Sequence, residues 1–88
     1  MRIAWHESAW EDYVEIQRQD PDLQRRLNEL IRDTARSPFR GLGKPEPLKG
    51  YLSGWWSRRI TIEHRLVYRV VVGGPDQTLE IIACRYHY

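Results

Sequence analysis

The chain has 88 residues and a mass of 10.6 kDa, with 14 Lys+Arg, 12 Asp+Glu and 3 His for a formal net charge of +2. That length accommodates one domain, residues 1–88, burying roughly 60–65% of the surface its unfolded form exposes, and 41% hydrophobic with 30% charged residues excludes compositional disorder. The lone Cys84 excludes an internal disulfide, no Cys/His grouping has metal-ligand spacing, and no stretch has a signal segment's apolar core or the ~18 apolar residues of a membrane span. A cytoplasmic protein with no metal, no cofactor and no membrane contact is therefore expected.

Ile3 and Trp5 alternate with Arg2 and Ala4, a short strand signal. Ser8-Ala9-Trp10-Glu11 has the form of a capping box, and Trp10, Tyr13, Val14 and Gln17 then recur on one helical face as far as Arg18 or Gln19. Asp20-Pro21 restarts the helix, Asp as cap and Pro at the first position, where no hydrogen bond is lost. Leu23, Leu27, Leu30, Ile31 and Thr34 give the clearest helical period in the chain, and Ser37-Pro38 ends it. Seven Gly or Pro between positions 38 and 54 exclude a regular helix there, and so long a connection in so small a domain is functional or disordered. Strands follow around Trp55–Ile62, Leu66–Val72 and Leu79–Arg85, with a turn at Gly73-Gly74-Pro75-Asp76. The expected fold class is α+β in the order β-α-α-β-β-β, two helices covering one face of an antiparallel sheet and the other face open and polar.

The charge is unevenly divided. Residues 1–35 hold five basic and eight acidic side chains, whereas residues 36–88 hold nine basic and four acidic ones, interleaved with Tyr51, Trp55, Trp56, Tyr68, Tyr86 and Tyr88. Such a half suits a polyanionic, base-bearing ligand, although a solvated basic surface has the same composition. Trp55 and Trp56 read as packing residues before base-stacking platforms. There is no Ser/His/Asp spacing, no phosphate-cradling Gly loop opening a helix and no His pair on a helix. Cys84, in an apolar strand, reads as packing.

What remains is a set of blocks in fixed order: Gly43-Lys44-Pro45-Glu46-Pro47-Leu48-Lys49, Leu52-Ser53-Gly54, Trp56-Ser57-Arg58-Arg59-Ile60-Thr61, Glu63-His64-Arg65-Leu66-Val67-Tyr68 and Ala83-Cys84-Arg85-Tyr86-His87-Tyr88. Together with Trp10 to Tyr13 and Asn28-Glu29-Leu30-Ile31 they closely resemble the Txe/YoeB toxins, RelE-like toxins of bacterial type II toxin–antitoxin pairs. The departure is a longer last hairpin, Gly73-Gly74-Pro75-Asp76-Gln77, where the family usually has a tighter turn.

The resemblance implies a RelE-like fold and a ribosome-dependent endoribonuclease that cuts messenger RNA in the ribosomal A site and stops translation. Metal-free RNA cleavage requires a base for the 2′-hydroxyl, an acid for the leaving 5′-oxygen and cations for the phosphate, roles suited to a carboxylate, an imidazole and guanidinium groups. By resemblance, the general base is Glu46, the general acid His87 and the phosphate clamp Arg65, with Tyr88, Lys49 and Arg59 in support; His64 has no catalytic role. Glu46 and Arg65 also have plainer readings, as a loop carboxylate beside Lys44 or Lys49 and as a surface arginine. If His87 and Tyr88 both line a site, strand pairing must stop near Arg85, because alternation otherwise puts them on opposite faces. The implied partners are a YefM-type antitoxin, the 70S ribosome with its message, promoter DNA only through the antitoxin complex, and a second copy in those relatives that dimerise. Two other functions fit the same residues: a non-catalytic module that binds ribosomal RNA and blocks the decoding site, and a degenerate toxin kept as a repressor partner.

Overall fold

The structure, a computed structural model, describes residues 1–86. Strand β1 (Arg2–Trp5) leads into helices α1 (Glu7–Gln19) and α2 (Pro21–Arg36), followed by strands β2 (Glu46–Pro47), β3 (Trp56–Arg59), β4 (Arg65–Gly73) and β5 (Asp76–Ala83). One turn of 3-10 helix, Gly50–Leu52, lies between β2 and β3. The sheet order is β1-β5-β4-β3-β2.

The α+β arrangement agrees with the sequence, but the sheet is mixed, not wholly antiparallel. β1 runs parallel to β5, Arg2 opposite Thr78 and Trp5 opposite Ile81. No hairpin joins these strands, so no turn dictates their relative direction. The additional strand β2 is only two residues long because Pro47 and the preceding Pro45 lack the N–H groups that would extend pairing, which confines the segment to the sheet edge. The last hairpin is closed by Gly74-Pro75 alone, with Gly73 still paired to Asp76. The hairpin therefore closes through a two-residue turn.

Asp20 caps α2 as expected, its Oδ1 accepting from Leu23 N–H at 3.1 Å. The Ser8 capping box does not form. His6 N–H donates to Ile81 O at 2.9 Å, so the β1–β5 pairing fixes His6 as the residue before α1, two residues earlier than the box requires. The buried face of α1 is rotated accordingly: Ala9 and Ile16 enter the core with Tyr13 at its margin, while Trp10 and Val14 stay exposed. Trp5, Trp10 and Tyr13 instead form a peripheral aromatic cluster with centroids 4.9–5.7 Å apart. On α2 the expected face is observed, with Leu27, Leu30, Ile31 and Thr34 buried. These residues pack on Leu66, Tyr68, Leu79, Ile81 and Cys84 from the sheet. Among the described residues no helix is long and apolar enough to cross a membrane.

The long connection from Ser37 to Trp55 is ordered by one buried cation. Arg58 is fully buried; its Nη1 donates to Asp33 Oδ2 at 2.6 Å and Leu42 O at 3.1 Å, its Nη2 to Arg40 O at 3.0 Å and to Ser37 O, and its Nε to Tyr68 Oη at 3.2 Å. Tyr68 Oη donates in turn to Pro38 O. The Leu42 N–H, then Arg58 and Arg36, hold the Asp33 carboxyl down at about 2. Gly43 sits against this knot at φ +78°, its carbonyl accepting from Arg59 N–H at 2.6 Å. A Cβ there would meet Arg59 O at 2.8 Å and Leu30 Cδ2 at 2.9 Å. Gly43→Ala therefore combines backbone strain with a clash and is expected to cost about 1–3 kcal/mol, seen as a lower thermal midpoint.

Candidate active site

Because successive strand residues point to opposite faces, the register decides which predicted residues can meet. Trp56, Arg58, Leu66 and Tyr68 turn toward the helices, so Ser57, Arg59, Arg65, Val67 and Arg69 face the other way. On that face Glu46 stands opposite Ser57, Ser57 opposite Val67 and Val67 opposite Ala83, forming one row across the sheet. Arg59 opposite Arg65 forms the next row. Glu46 and Arg65 are thus two strands and two residues apart, about 12 Å between Cα atoms from the ordinary strand spacings. Their side chains can approach one small group from opposite sides. Arg59 lies diagonally between them.

Glu46 and Arg59 are exposed, whereas Arg65 is half-buried. The expected open face is covered at its centre: Ser57 and Val67 are buried, giving the floor between the carboxylate and the arginines a low-dielectric character. Arg65 does more than present a charge. Its Nη1 donates to the carbonyls of Thr61, Ile62 and His64 at 2.8, 3.1 and 3.2 Å, tying together the β3–β4 turn. A phosphate would therefore be gripped by the opposite edge of the guanidinium, through Nε and Nη2. Lys49 is exposed just before the 3-10 turn, on the same sheet margin as Glu46 but beyond the end of β2.

The predicted residues His87 and Tyr88 lie outside the described residues. The chain leading to them is fixed in two ways. Pairing of β5 ends at Ala83, two residues before the expected Arg85, and Tyr86 adopts a left-handed backbone, φ +61°. Arg65 N–H donates to Tyr86 O at 2.8 Å, and Tyr86 N–H donates to His64 Nδ1 at 2.9 Å. Arg85 reaches the other way, to Asp12 at 3.4 Å and Glu15 at 3.3 Å on α1. Tyr86, the last described residue, thus lies beside the predicted clamp.

Both tryptophans pack, as read from the sequence. Trp56 lies 4.8 Å from Phe39 between ring centroids, and Trp55 has the Arg69 guanidinium 4.5 Å over its ring. Cys84 is buried, its thiol pushed up to about 12 by burial and the charge of Asp12, and it donates to Ala9 O at 3.5 Å. Sequence reasoning missed the separate tasks of Arg58, Asp33 and His64. One signal was available: adjacent Arg58 and Arg59 in a strand must face opposite ways, so one of them had to enter the helix-covered side.

The sequence profile described as the YoeB-like toxin of bacterial type II toxin–antitoxin systems matches residues 5–88. Toxin YoeB of Escherichia coli K12 is 57% identical over 88 residues, all of both chains. Among solved structures, a YoeB/ParE toxin from Agrobacterium tumefaciens aligns with a TM-score of 0.95 at 56% identity, covering 100% of each chain. Staphylococcus aureus YoeB, solved in a heterotetrameric complex with YefM and also as a dimer, aligns at 0.88 with 42% identity, covering 100% of this chain and 98% of that one. The chain belongs to the family of YoeB-like toxins of bacterial type II toxin–antitoxin systems.

Proposed function

We propose that this toxin is an endoribonuclease that cleaves messenger RNA in the ribosomal A site by metal-independent general acid–base catalysis. The observation that carries this reading is the register that sets Glu46 across the sheet face opposite the helices from Arg65, with Arg59 between them. Glu46 takes the proton from a 2′-hydroxyl, and that oxygen attacks the adjacent phosphorus. Arg65 and Arg59 stabilise the charge on the pentacoordinate phosphate, and His87 protonates the departing 5′-oxygen. Tyr88 and Lys49 orient the substrate. The products are a 5′-hydroxyl and a 2′,3′-cyclic phosphate or its 3′-phosphate hydrolysis product. Mapping the ends of a message translated with this toxin tests the chemistry. A 5′-phosphate, or loss of cutting in EDTA under conditions that leave ribosomes intact, overturns it, and equal cutting without ribosomes overturns ribosome dependence.

The partners in this reading follow from surface and kinship. An acidic, partly disordered segment of a YefM-type antitoxin covers the basic sheet face and buries or displaces the C-terminal tail. The S. aureus relative has been solved both with YefM and as a dimer, which supports the antitoxin and a homodimer as partners here. Promoter DNA is engaged only through the antitoxin complex, and the toxin acts on 70S ribosomes in the cytoplasm.

A further inference from the structure

The turn between β3 and β4 is built more rigidly than a connection requires. Thr61 Oγ1 accepts from the N–H groups of Glu63 and His64 at 3.2 and 3.1 Å, the His64 carbonyl accepts from Ile60 N–H at 2.9 Å, and Arg65 Nη1 binds three of the turn's carbonyls. The product of this bonding is a fixed imidazole. Its Nδ1 accepts the Tyr86 N–H at 2.9 Å, which requires the neutral ring with its proton on Nε2. The two rings lie 5.4 Å apart between centroids. The next residue along the chain, Arg65, donates its own N–H to the Tyr86 carbonyl. Both polar groups of the Tyr86 peptide backbone are therefore held by His64 and Arg65, and Tyr86 keeps a left-handed conformation that few residues with a Cβ adopt. Arg85, paired with Asp12 and Glu15, secures the preceding residue to α1.

We infer that His64 is a positioning residue for the proposed reaction: its Nδ1 latches the C-terminal segment at Tyr86 beside Arg65. This rests on the reading of His87, the residue after Tyr86, as general acid. His64 touches no reacting atom in this scheme. It holds Tyr86, the residue before the proposed acid, beside the clamp, and a misplacement of about 1 Å between catalytic groups can cost ~10²-fold in rate.

The test uses the full-length toxin with His64→Ala and His64→Asn, since the Asn side-chain oxygen sits near the place of Nδ1 and can accept the same hydrogen bond. Tyr86 amide exchange by NMR, the thermal midpoint and single-turnover cleavage of a message on programmed ribosomes are measured for each. Expected are a protected Tyr86 amide in the parent, its loss in His64→Ala, and a cleavage rate lowered about 10- to 100-fold. Half-saturation should stay within about threefold, with most of the rate restored in His64→Asn. An unprotected Tyr86 amide in the parent overturns the latch without recourse to any variant. So does a His64→Ala enzyme that cuts at the parental rate, or one whose defect lies only in half-saturation. Should the parent itself fail to cut RNA, the nuclease reading falls, while Tyr86 protection still reports on the latch separately.

Discussion

Glu46→Gln is expected to lower the single-turnover cleavage rate by about 10²–10⁴-fold, the range over which a positioned general base acts, while the thermal midpoint stays within a few degrees of the parent. The substitution is clean because of where Glu46 stands. It is exposed on a two-residue edge strand, and its backbone pairing with Ser57 is unchanged by an amide side chain. Surface changes of this kind alter stability by about 0.5 kcal/mol or less. Gln keeps the size and hydrogen-bonding capacity of the side chain but cannot take up the proton. Arg65 is a poorer probe, since replacing it also releases three carbonyls of the β3–β4 turn and so mixes chemistry with structure. The two functional classes part here. A module that merely blocks the decoding site arrests translation equally well with Glu46→Gln and leaves messages uncut, whereas the nuclease loses both cutting and arrest. The check is primer-extension mapping of the message beside a translation assay, with His87→Ala as a second variant.

How much of this was legible depends on the range of the forces involved. The αα-hairpin was, because Asp20-Pro21 and the Leu23 to Thr34 period act within a turn or two of helix. So were β4 and β5, whose β-branched and aromatic residues carry their own signal. The failures come from pairing at long range. Ser8 has the local chemistry of a cap, yet the His6 N–H is drawn to the carbonyl of Ile81, seventy-five positions away, and the helix starts early as a result. That start rotates α1, so Ala9 and Ile16 displace Trp10 and Val14 from the core. The parallel direction of β1 likewise depends on β5, which no adjacent turn announces. At the candidate site, resemblance supplied the residue types, and only the register shows that Glu46, Arg59 and Arg65 share a face. By resemblance His64 has no catalytic role, and its hold on a backbone N–H is a contact of which residue type gives no sign.

Arg58→Met should be the most damaging single change to the fold, at about 3–5 kcal/mol. In a domain of this size that lowers the thermal midpoint by more than ~12 °C. Methionine fills much of the same space, so the loss is electrostatic and not a cavity. It leaves Asp33 without its buried cation and removes the donors for the carbonyls of Ser37, Arg40 and Leu42 as well as for Tyr68 Oη. Arg58→Lys should recover only part of the stability, because a single ammonium cannot span the fork that the guanidinium fills. Acid separates this mechanism from simple mispacking. The Asp33 pKa is lowered to about 2 from 3.8, so its contribution is complete above pH ~4 and is lost as pH falls toward 2. The midpoint gap between parent and Arg58→Met should therefore narrow over that interval, whereas a packing defect would keep it constant. Because the same carbonyls moor the chain that runs through Gly43 to Glu46, cleavage by Arg58→Met should fail even at temperatures where the variant remains folded. In that state Glu46 would keep its chemistry and lose its place opposite Ser57.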